Sequence, residues 1–308
     1  MTHNHGHDHD HAGNGHGQAA HGQAGHGQAG HGHGAHGLPE SMDDLLELDA
    51  KVLQDYWTAA LDWVRDAAAP LSPARLLDLG AGTGTGALGL ALRFPGATVA
   101  AVDVEPDAIE RIRGKVQERG LADRVRAVEA DLDGAWPDLG PLDLTWASMS
   151  LHHLADPGAA LREVLAVTRP GGMIAVAEFP EPLRFLPDDL GTGAAGFEDR
   201  VLAPINAAHV ELMPTLGSAW GPRLADAGWH VTAERVFPID LNPPAHPDAG
   251  RYAQIWFGRL SHGFAGRLEP GDRATLAELL DEDGPHSLLG RGDLHIRGTR
   301  IVTLGQRD

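Results

Sequence analysis

The chain contains no cysteine, and this absence excludes several kinds of site at once. Without a thiol there is no disulfide, no thiolate nucleophile, and no cysteine-ligated zinc or iron–sulfur centre. Long hydrophobic runs are also missing, because no stretch approaches the roughly 18–20 apolar residues that span a bilayer. The N-terminus lacks the apolar core of a signal peptide. The sequence therefore predicts a cytoplasmic protein with no segment inserted in a membrane.

Basic charge is scarce as well. The 308 residues include 24 lysines and arginines against 43 acidic residues, which gives a formal net charge of −19. Proteins that bind nucleic acid need basic contacts to the phosphates, and no stripe dense in lysine or arginine offsets the acidic balance. We therefore expect no nucleic-acid partner. With 42% hydrophobic residues the chain has ample material for a core, and nothing in it indicates an oligomeric state.

Residues 1–37 differ in composition from the rest of the chain and hold 11 of the 19 histidines. Glycine, glutamine and histidine bury too little apolar surface to offset chain entropy, so this tail is predicted to be disordered. Neutral imidazoles are good ligands for zinc and nickel, so we expect the tail to bind metal, either as a function or adventitiously. The candidate metal ligands are His3, His5, His7, His9 and His11.

The order of apolar segments after the tail predicts an α/β protein with a doubly wound, mostly parallel sheet. A capping pattern at Ser41 and apolar residues at helical spacing predict a helical N-terminal cap over residues 38–74. Apolar runs then alternate with amphipathic helices over residues 75–308, with lid insertions at about 180–219 and 243–290. The seven predicted strands are Arg75–Leu79, Thr98–Asp103, Val125–Glu129, Leu142–Ala147, Met173–Phe179, His230–Leu241 and His295–Leu304, of which the last is antiparallel.

The first predicted strand runs into a glycine-rich turn, Asp78-Leu79-Gly80-Ala81-Gly82-Thr83-Gly84. Glycine lets the backbone turn sharply and approach a ligand that a Cβ would exclude. The helix that follows presents unpaired N–H groups at its N-terminus. The same stretch also satisfies a dinucleotide fingerprint, because Gly82, Gly84 and Ala87 have the spacing G-x-G-x-x-A. The turn thus indicates a nucleoside-type cofactor without deciding which one.

The ends of the later strands narrow this choice. Asp103 ends the second strand about twenty residues past the turn, where its carboxylate can accept hydrogen bonds from both ribose hydroxyls. Asp131-Leu132 places an acid beside an apolar residue after the third strand, which suits the amine and the face of adenine. The fourth strand runs into His152-His153, and Arg169-Pro170-Gly171-Gly172 predicts a tight turn before the fifth. These carboxyl ends meet at the edge of the sheet where open α/β folds bind ligands.

In this order the motifs closely resemble the class I S-adenosylmethionine-dependent methyltransferases over roughly residues 40–180, with the last two strands completing the fold. The stretch from His152 to Gly172 looks most like the small-molecule branch typified by ubiquinone- and menaquinone-biosynthesis methyltransferases. The resemblance implies a Rossmann-like fold and SN2 transfer of a methyl group from S-adenosylmethionine to O, C or N of a small-molecule acceptor.

The resemblance also implies which residues contact the cofactor. Asp78 and Gly80 should lie near the methionine moiety, and Gly82 and Gly84 against the cofactor backbone. Asp103 is expected at the ribose, and Asp131 with Leu132 at the adenine. Ala147 and Ser148 should lie beside the sulfonium, and Ala81 and Val104 complete the predicted set.

A general base is needed only if the acceptor must lose a proton, as from a phenol or an acidic carbon. The candidates are His152, His153 and Glu178, although the histidines can equally pack or cap a loop. Specificity is expected from the helix that carries Tyr56 and Trp57 and from the two lid insertions, where Arg200 is a candidate partner for an anionic substrate. Aromatic and methionine side chains there are expected to roof an apolar pocket. They are Phe185, Phe197, Met213, Trp220, Tyr252, Trp256 and Phe257.

Two other functions stay open at this point. The dinucleotide fingerprint allows an NAD(P)-dependent oxidoreductase, although no Tyr-x-x-x-Lys pair is evident and the chain has only two tyrosines. The histidine-rich tail allows a non-enzymatic protein that buffers metal and uses its core as a ligand sensor. Comparing the binding of S-adenosylmethionine with that of NAD separates the oxidoreductase from a methyltransferase. Deleting residues 1–37 shows whether the tail is accessory to an enzyme.

Overall fold

The computed structural model describes residues 41–213 and 215–308, so the tail and its five predicted metal ligands lie outside the described residues. The predicted N-terminal cap consists of two helices, α1 (Met42–Val52) and α2 (Gln54–Ala68). A capping box starts α1: the Ser41 hydroxyl accepts a hydrogen bond from the N–H of Asp44, whose carboxylate accepts one from the N–H of Ser41.

The strands form one seven-stranded sheet in the order β3-β2-β1-β4-β5-β7-β6. Strand β7 runs antiparallel to both of its neighbours, and the other paired strands run parallel, so the predicted fold class is confirmed. The chain reverses its winding direction beside β1, which is where ligands bind in open α/β sheets. The strands are β1 (Arg75–Leu79), β2 (Thr98–Asp103), β3 (Val125–Glu129), β4 (Leu142–Ser148), β5 (Thr168–Glu178), β6 (His230–Leu241) and β7 (Ile296–Gln306).

One predicted turn proves to be part of a strand. Arg169-Pro170-Gly171-Gly172 does not precede β5 but interrupts it, because Leu142 pairs with Thr168 and Leu144 pairs with Met173. Proline and a glycine at φ +79° do not fit a regular ladder, so these four residues bulge while pairing continues on either side. The sequence signalled an irregularity correctly but not its place within the strand.

Further helices flank the sheet on both faces. Three crossover helices begin close to Gly84, Pro106 and Pro157. The insertion at about 243–290 carries two helices. The helices are α3 (Thr85–Arg93), α4 (Pro106–Glu118), α5 (Pro157–Val167), α6 (Phe197–Leu212), α7 (Trp220–Asp226), α8 (Ala249–Phe264) and α9 (Pro270–Leu280).

Two apolar cores lie on the two faces of the sheet, and alternation along β1 shows how one strand serves both. Leu76 belongs to the core that includes α1 to α4, whereas Leu77 and Leu79 belong to the core beneath α5 and α7. Asp78 shares the face of Leu76, at the end of the strand that leads into the glycine turn. Among the described residues no helix is long and apolar enough to cross a membrane.

Candidate functional site

A cavity of about 630 Å³ lies at the carboxyl ends of β1, β2, β3 and β4, as the strand-end motifs predict. Nine of the eleven predicted cofactor residues line it: Asp78, Gly80, Ala81, Gly82, Asp103, Val104, Asp131, Leu132 and Ser148. The other two do not reach its wall. Gly84 precedes α3 with φ +85°, and a Cβ there would meet Ile112 at 2.9 Å, while Ala147 is fully buried in the core beneath α5.

The glycine turn is shaped by close approach as much as by dihedral angles. Gly80 has φ +68°, and a Cβ there would lie 2.4 Å from the Cβ of Ser150. The Ser150 hydroxyl donates to the carbonyl of Leu79 at 2.7 Å, which ties the loop after β4 to the turn. Only glycine satisfies both the left-handed backbone and this contact. The turn therefore exposes its backbone to the cavity.

Asp78 is 2% exposed, and its Oδ2 has no hydrogen-bond partner among the described residues. Burial raises the pKa of its carboxyl from 3.8 to about 7; the N–H of Ala87 opposes this shift and the charge of Asp103 adds to it. Gly86 makes room for the carboxylate, because a Cβ there would lie 2.7 Å from Oδ2. A buried carboxylate with one unpartnered oxygen, on a cavity wall, suits a positively charged ligand group.

The two strand-end acids are placed differently. Asp103 is half-buried and accepts hydrogen bonds from the N–H of Gly82 at 2.7 Å and of Glu105 at 3.0 Å, one on each carboxylate oxygen. It therefore holds the turn in addition to facing the cavity, and each oxygen keeps a second lone pair. Asp131 is exposed and accepts from the N–H of Asp133 at 2.9 Å. Leu132 beside it adds an apolar surface.

The N-terminal cap contributes residues that the motif analysis did not assign to this cavity. Leu46 and Asp49 of α1 line it, and so does Trp57 of α2. Ion pairs hold α1 over the turn: Arg111 of α4 contacts Asp43 at 2.8 Å, and Lys115 contacts Glu47 while donating to the carbonyl of Thr83 at 2.8 Å. Amphipathic spacing predicts such a helix but not where it packs.

A second cavity of about 460 Å³ adjoins the first, and the two share five lining residues: Met42, Leu46, Asp49, Met149 and His153. Met149 follows β4 with φ +52°, an uncommon backbone conformation for a residue with a side chain. Such strain often marks functional sites. Most of the lining is apolar and comes from α1, α8 and the loop after β5.

Two of the three candidate bases form a buried pair beside the second cavity. Nδ1 of His152 lies 2.7 Å from Oε2 of Glu178, and both residues are at most 5% exposed. A carboxylate only accepts hydrogen bonds, so Nδ1 carries the proton and Nε2 is left as an acceptor. His152 lines the second cavity. The third candidate, His153, is exposed and lines both cavities, and its ring is tilted by 42° against that of His152 with 4.1 Å between the centroids.

Some of the predicted specificity residues line the second cavity, and the others are buried in the two apolar cores. Met213, Tyr252 and Trp256 line the second cavity. Phe185, Phe197 and Phe257 are fully buried in the core, as is Trp220 on the other side of the sheet. Arg200 lines neither of these two cavities, and Asp272 holds its guanidinium at 2.8–3.2 Å. The prediction that Arg200 pairs with a substrate is therefore wrong: its partner is a carboxylate of α9.

Residues 76–172 match the model of the family described as "Methyltransferase domain", from the first strand through the bulge in β5. This segment of the chain is therefore similar to a methyltransferase domain. The matched segment carries the glycine turn, Asp103, Asp131 and His152, so the predicted resemblance to S-adenosylmethionine-dependent methyltransferases is confirmed.

Curated relatives that match this part of the chain are named as methyltransferases. A demethylmenaquinone methyltransferase of Thermus thermophilus is 41% identical over 40% of this chain and 57% of its own length. A malonyl-[acyl-carrier protein] O-methyltransferase of Laribacter hongkongensis is 37% identical over 44% of this chain and 48% of its own length. The chain thus spans about half the length of these relatives.

Among solved structures, the YcgJ protein of Bacillus subtilis covers 81% of this chain and 98% of its own, at 18% identity and a TM-score of 0.49.

Proposed function

We propose that the protein is an S-adenosylmethionine-dependent methyltransferase that acts on a small-molecule acceptor. One observation carries this proposal: the cavity at the glycine turn adjoins a second, largely apolar cavity, and the two share lining residues. Methyl transfer needs two ligands side by side, with the donor group at the junction and water kept out. The NAD(P) alternative loses support, since both named relatives are methyltransferases.

The first cavity fits the cofactor on the chemistry of its donors and acceptors. The buried carboxylate of Asp78 matches an ammonium group, and the free lone pairs of Asp103 match ribose hydroxyls. Asp131 and Leu132 match the amine and the face of adenine. Gly80 and Gly82 keep the wall free of side chains where the cofactor backbone would lie. We propose Ala81, Val104 and Ser148 as further contacts.

When bound, S-adenosylmethionine supplies a methyl group on a sulfonium, which is an electrophile that is already activated. The chain must therefore align the acceptor and, where the acceptor is a hydroxyl or an acidic carbon, remove its proton. We propose that Nε2 of His152 takes this proton. Glu178 fixes the tautomer and stabilises the imidazolium that forms, because its carboxylate is buried against Nδ1 at 2.7 Å.

The first experiment looks for the reaction itself. Protein is incubated with methyl-tritiated S-adenosylmethionine and small molecules of a cell extract, and the labelled products are separated. We expect at least one labelled compound that is absent when Asp103→Ala replaces the wild-type protein. An extract in which the wild type labels nothing above the variant contradicts the proposal.

The acceptor found in this way then tests the dyad. We expect Glu178→Gln to lower kcat/KM by about 100-fold, since a general base contributes 10²–10⁴-fold and loses its orientation here. The Kd for S-adenosylhomocysteine should stay unchanged, because Glu178 does not line the first cavity. A variant with wild-type kcat/KM across the pH profile shows that the pair is structural.

A further inference from the structure

Arg300 of β7 is one of the charged residues in the mostly apolar lining of the second cavity. The residue is 4% exposed, and Phe179 packs against the guanidinium, whose central carbon lies 5.1 Å from the ring centroid. An arginine side chain is rarely buried to this extent without a partner for its charge. The hydrogen bonds of this guanidinium therefore indicate which ligand group it can bind.

Arg300 uses few of its five N–H donors. Its Nε has no partner among the described residues, and its one hydrogen bond within them runs from Nη1 to the carbonyl of Thr299 at 3.4 Å. Since a guanidinium has a fixed fork of donors and stays charged at all ordinary pH values, the unused donors represent an incomplete site.

Asp49 neutralises this charge only in part. Its Oδ2 is 3.6 Å from Nη2 of Arg300, beyond hydrogen-bond distance, and accepts instead from the hydroxyl of Tyr252 at 2.7 Å. Its Oδ1 accepts from Nε1 of Trp57 at 3.2 Å. The contrast with Arg200 is direct, because Asp272 engages that guanidinium at 2.8–3.2 Å. Asp49 therefore lies beside Arg300 without occupying its donors.

We infer that Arg300 binds a carboxylate of the acceptor, so that the substrate class is an apolar organic acid. This inference rests on the proposed function, because it takes the second cavity to be the site of the acceptor. It does not depend on how the methyl group is transferred. A carboxylate matches the planar donor fork of this guanidinium. The apolar lining, with Leu183, Trp256 and Leu260, suits a ring or chain as the rest of the molecule. Arg300 is thus a specificity-determining residue.

The test uses a matched pair of probes, 2-naphthoate and its neutral amide 2-naphthamide, in calorimetry with the full chain and no cofactor. We expect the wild type to bind the naphthoate about tenfold more tightly or better. In Arg300→Gln this preference should disappear, with the affinity for the amide kept within about twofold. Arg259→Gln is the control, because Arg259 lines the same cavity and should leave the preference unchanged.

Because Arg300→Gln leaves Asp49 with an unbalanced charge, the double variant Asp49→Asn/Arg300→Gln serves if circular dichroism shows the single variant to be unfolded. Equal affinity of both probes for the wild type, no naphthoate binding at millimolar concentration, or loss of the preference in Arg259→Gln instead would each overturn the inference. Failure of the proposed function looks different: S-adenosylhomocysteine would not bind, while the naphthoate preference and its dependence on Arg300 would remain.

Discussion

The buried carboxyl of Asp78 makes the stability of the cofactor-free protein depend on pH. Burial raises its pKa from 3.8 to about 7, so between these values the folded protein holds a proton that the unfolded chain has released. The contribution of this group to stability is therefore fully present below about pH 4, is lost as pH rises towards 7, and changes little above that. At 1.36 kcal/mol per pKa unit, the ionised carboxylate destabilises the fold at pH 8 by about 4 kcal/mol.

Asp78→Asn removes this charge and keeps the shape of the side chain. We expect the variant to be more stable than the wild type at pH 8, by at most about 4 kcal/mol, and nearly equal to it at pH 4. Urea unfolding followed by circular dichroism at both pH values measures the difference. Asp107→Asn is the matched control, because Asp107 lines the same cavity but is exposed. A difference between Asp78→Asn and the wild type that does not change with pH refutes the reasoning.

The same variant separates a binding role from a structural one. If Asp78 faces the ammonium group of the cofactor, Asp78→Asn should bind S-adenosylhomocysteine about tenfold more weakly while the cofactor-free protein becomes more stable. Opposite signs for affinity and stability are the signature of a charge kept for a ligand. A variant that is more stable and binds as tightly as the wild type shows that Asp78 does not contact the cofactor.

Three further predictions follow from the turn and the tail. Asp103→Ala should weaken S-adenosylhomocysteine binding at least about tenfold, because it removes acceptors from both the ligand and the turn; an unchanged Kd rejects the ribose assignment. Gly80→Ala should destabilise the fold by roughly 2–5 kcal/mol in urea unfolding, from its left-handed backbone and the contact with Ser150, whereas Gly120→Ala, at φ +64° with nothing within 4 Å, shows the backbone cost alone. Equal losses in the two glycine variants contradict the steric part. Deletion of residues 1–37 should abolish most nickel and zinc binding in calorimetry and leave the Kd for S-adenosylhomocysteine unchanged; metal binding that survives the deletion places the ligands elsewhere.

The sheet could be predicted well because strand signals are local. The bounds of β1, β2, β3 and β6 agree with those read from apolar runs and the residues that end them. The position of the first cavity followed from the same signals, since parallel strands bring their carboxyl ends to one edge. Gly84 and Ala147 lie off its wall because adjacent residues on a turn or a strand face different sides.

The acceptor side could not be predicted in the same way, because it depends on contacts between distant segments. Asp49 and Tyr252 are 203 positions apart in sequence, and no periodicity relates them. Arg300 lies in a strand whose apolar pattern gives no sign that this guanidinium enters a cavity. Arg200, which was predicted to pair with an anionic substrate, pairs instead with Asp272 of the protein itself. The charge of a side chain does not reveal whether its partner is a ligand or another residue of the protein.

Calorimetric titration of the full chain with S-adenosylmethionine and, separately, with NAD tests the central claim most directly. The buried carboxylate of Asp78, the acceptors of Asp103 and the methyltransferase domain over residues 76–172 predict binding of S-adenosylmethionine and none of NAD. Binding of NAD without S-adenosylmethionine would show that the glycine turn serves a dinucleotide, and the proposed methyltransferase activity would be wrong.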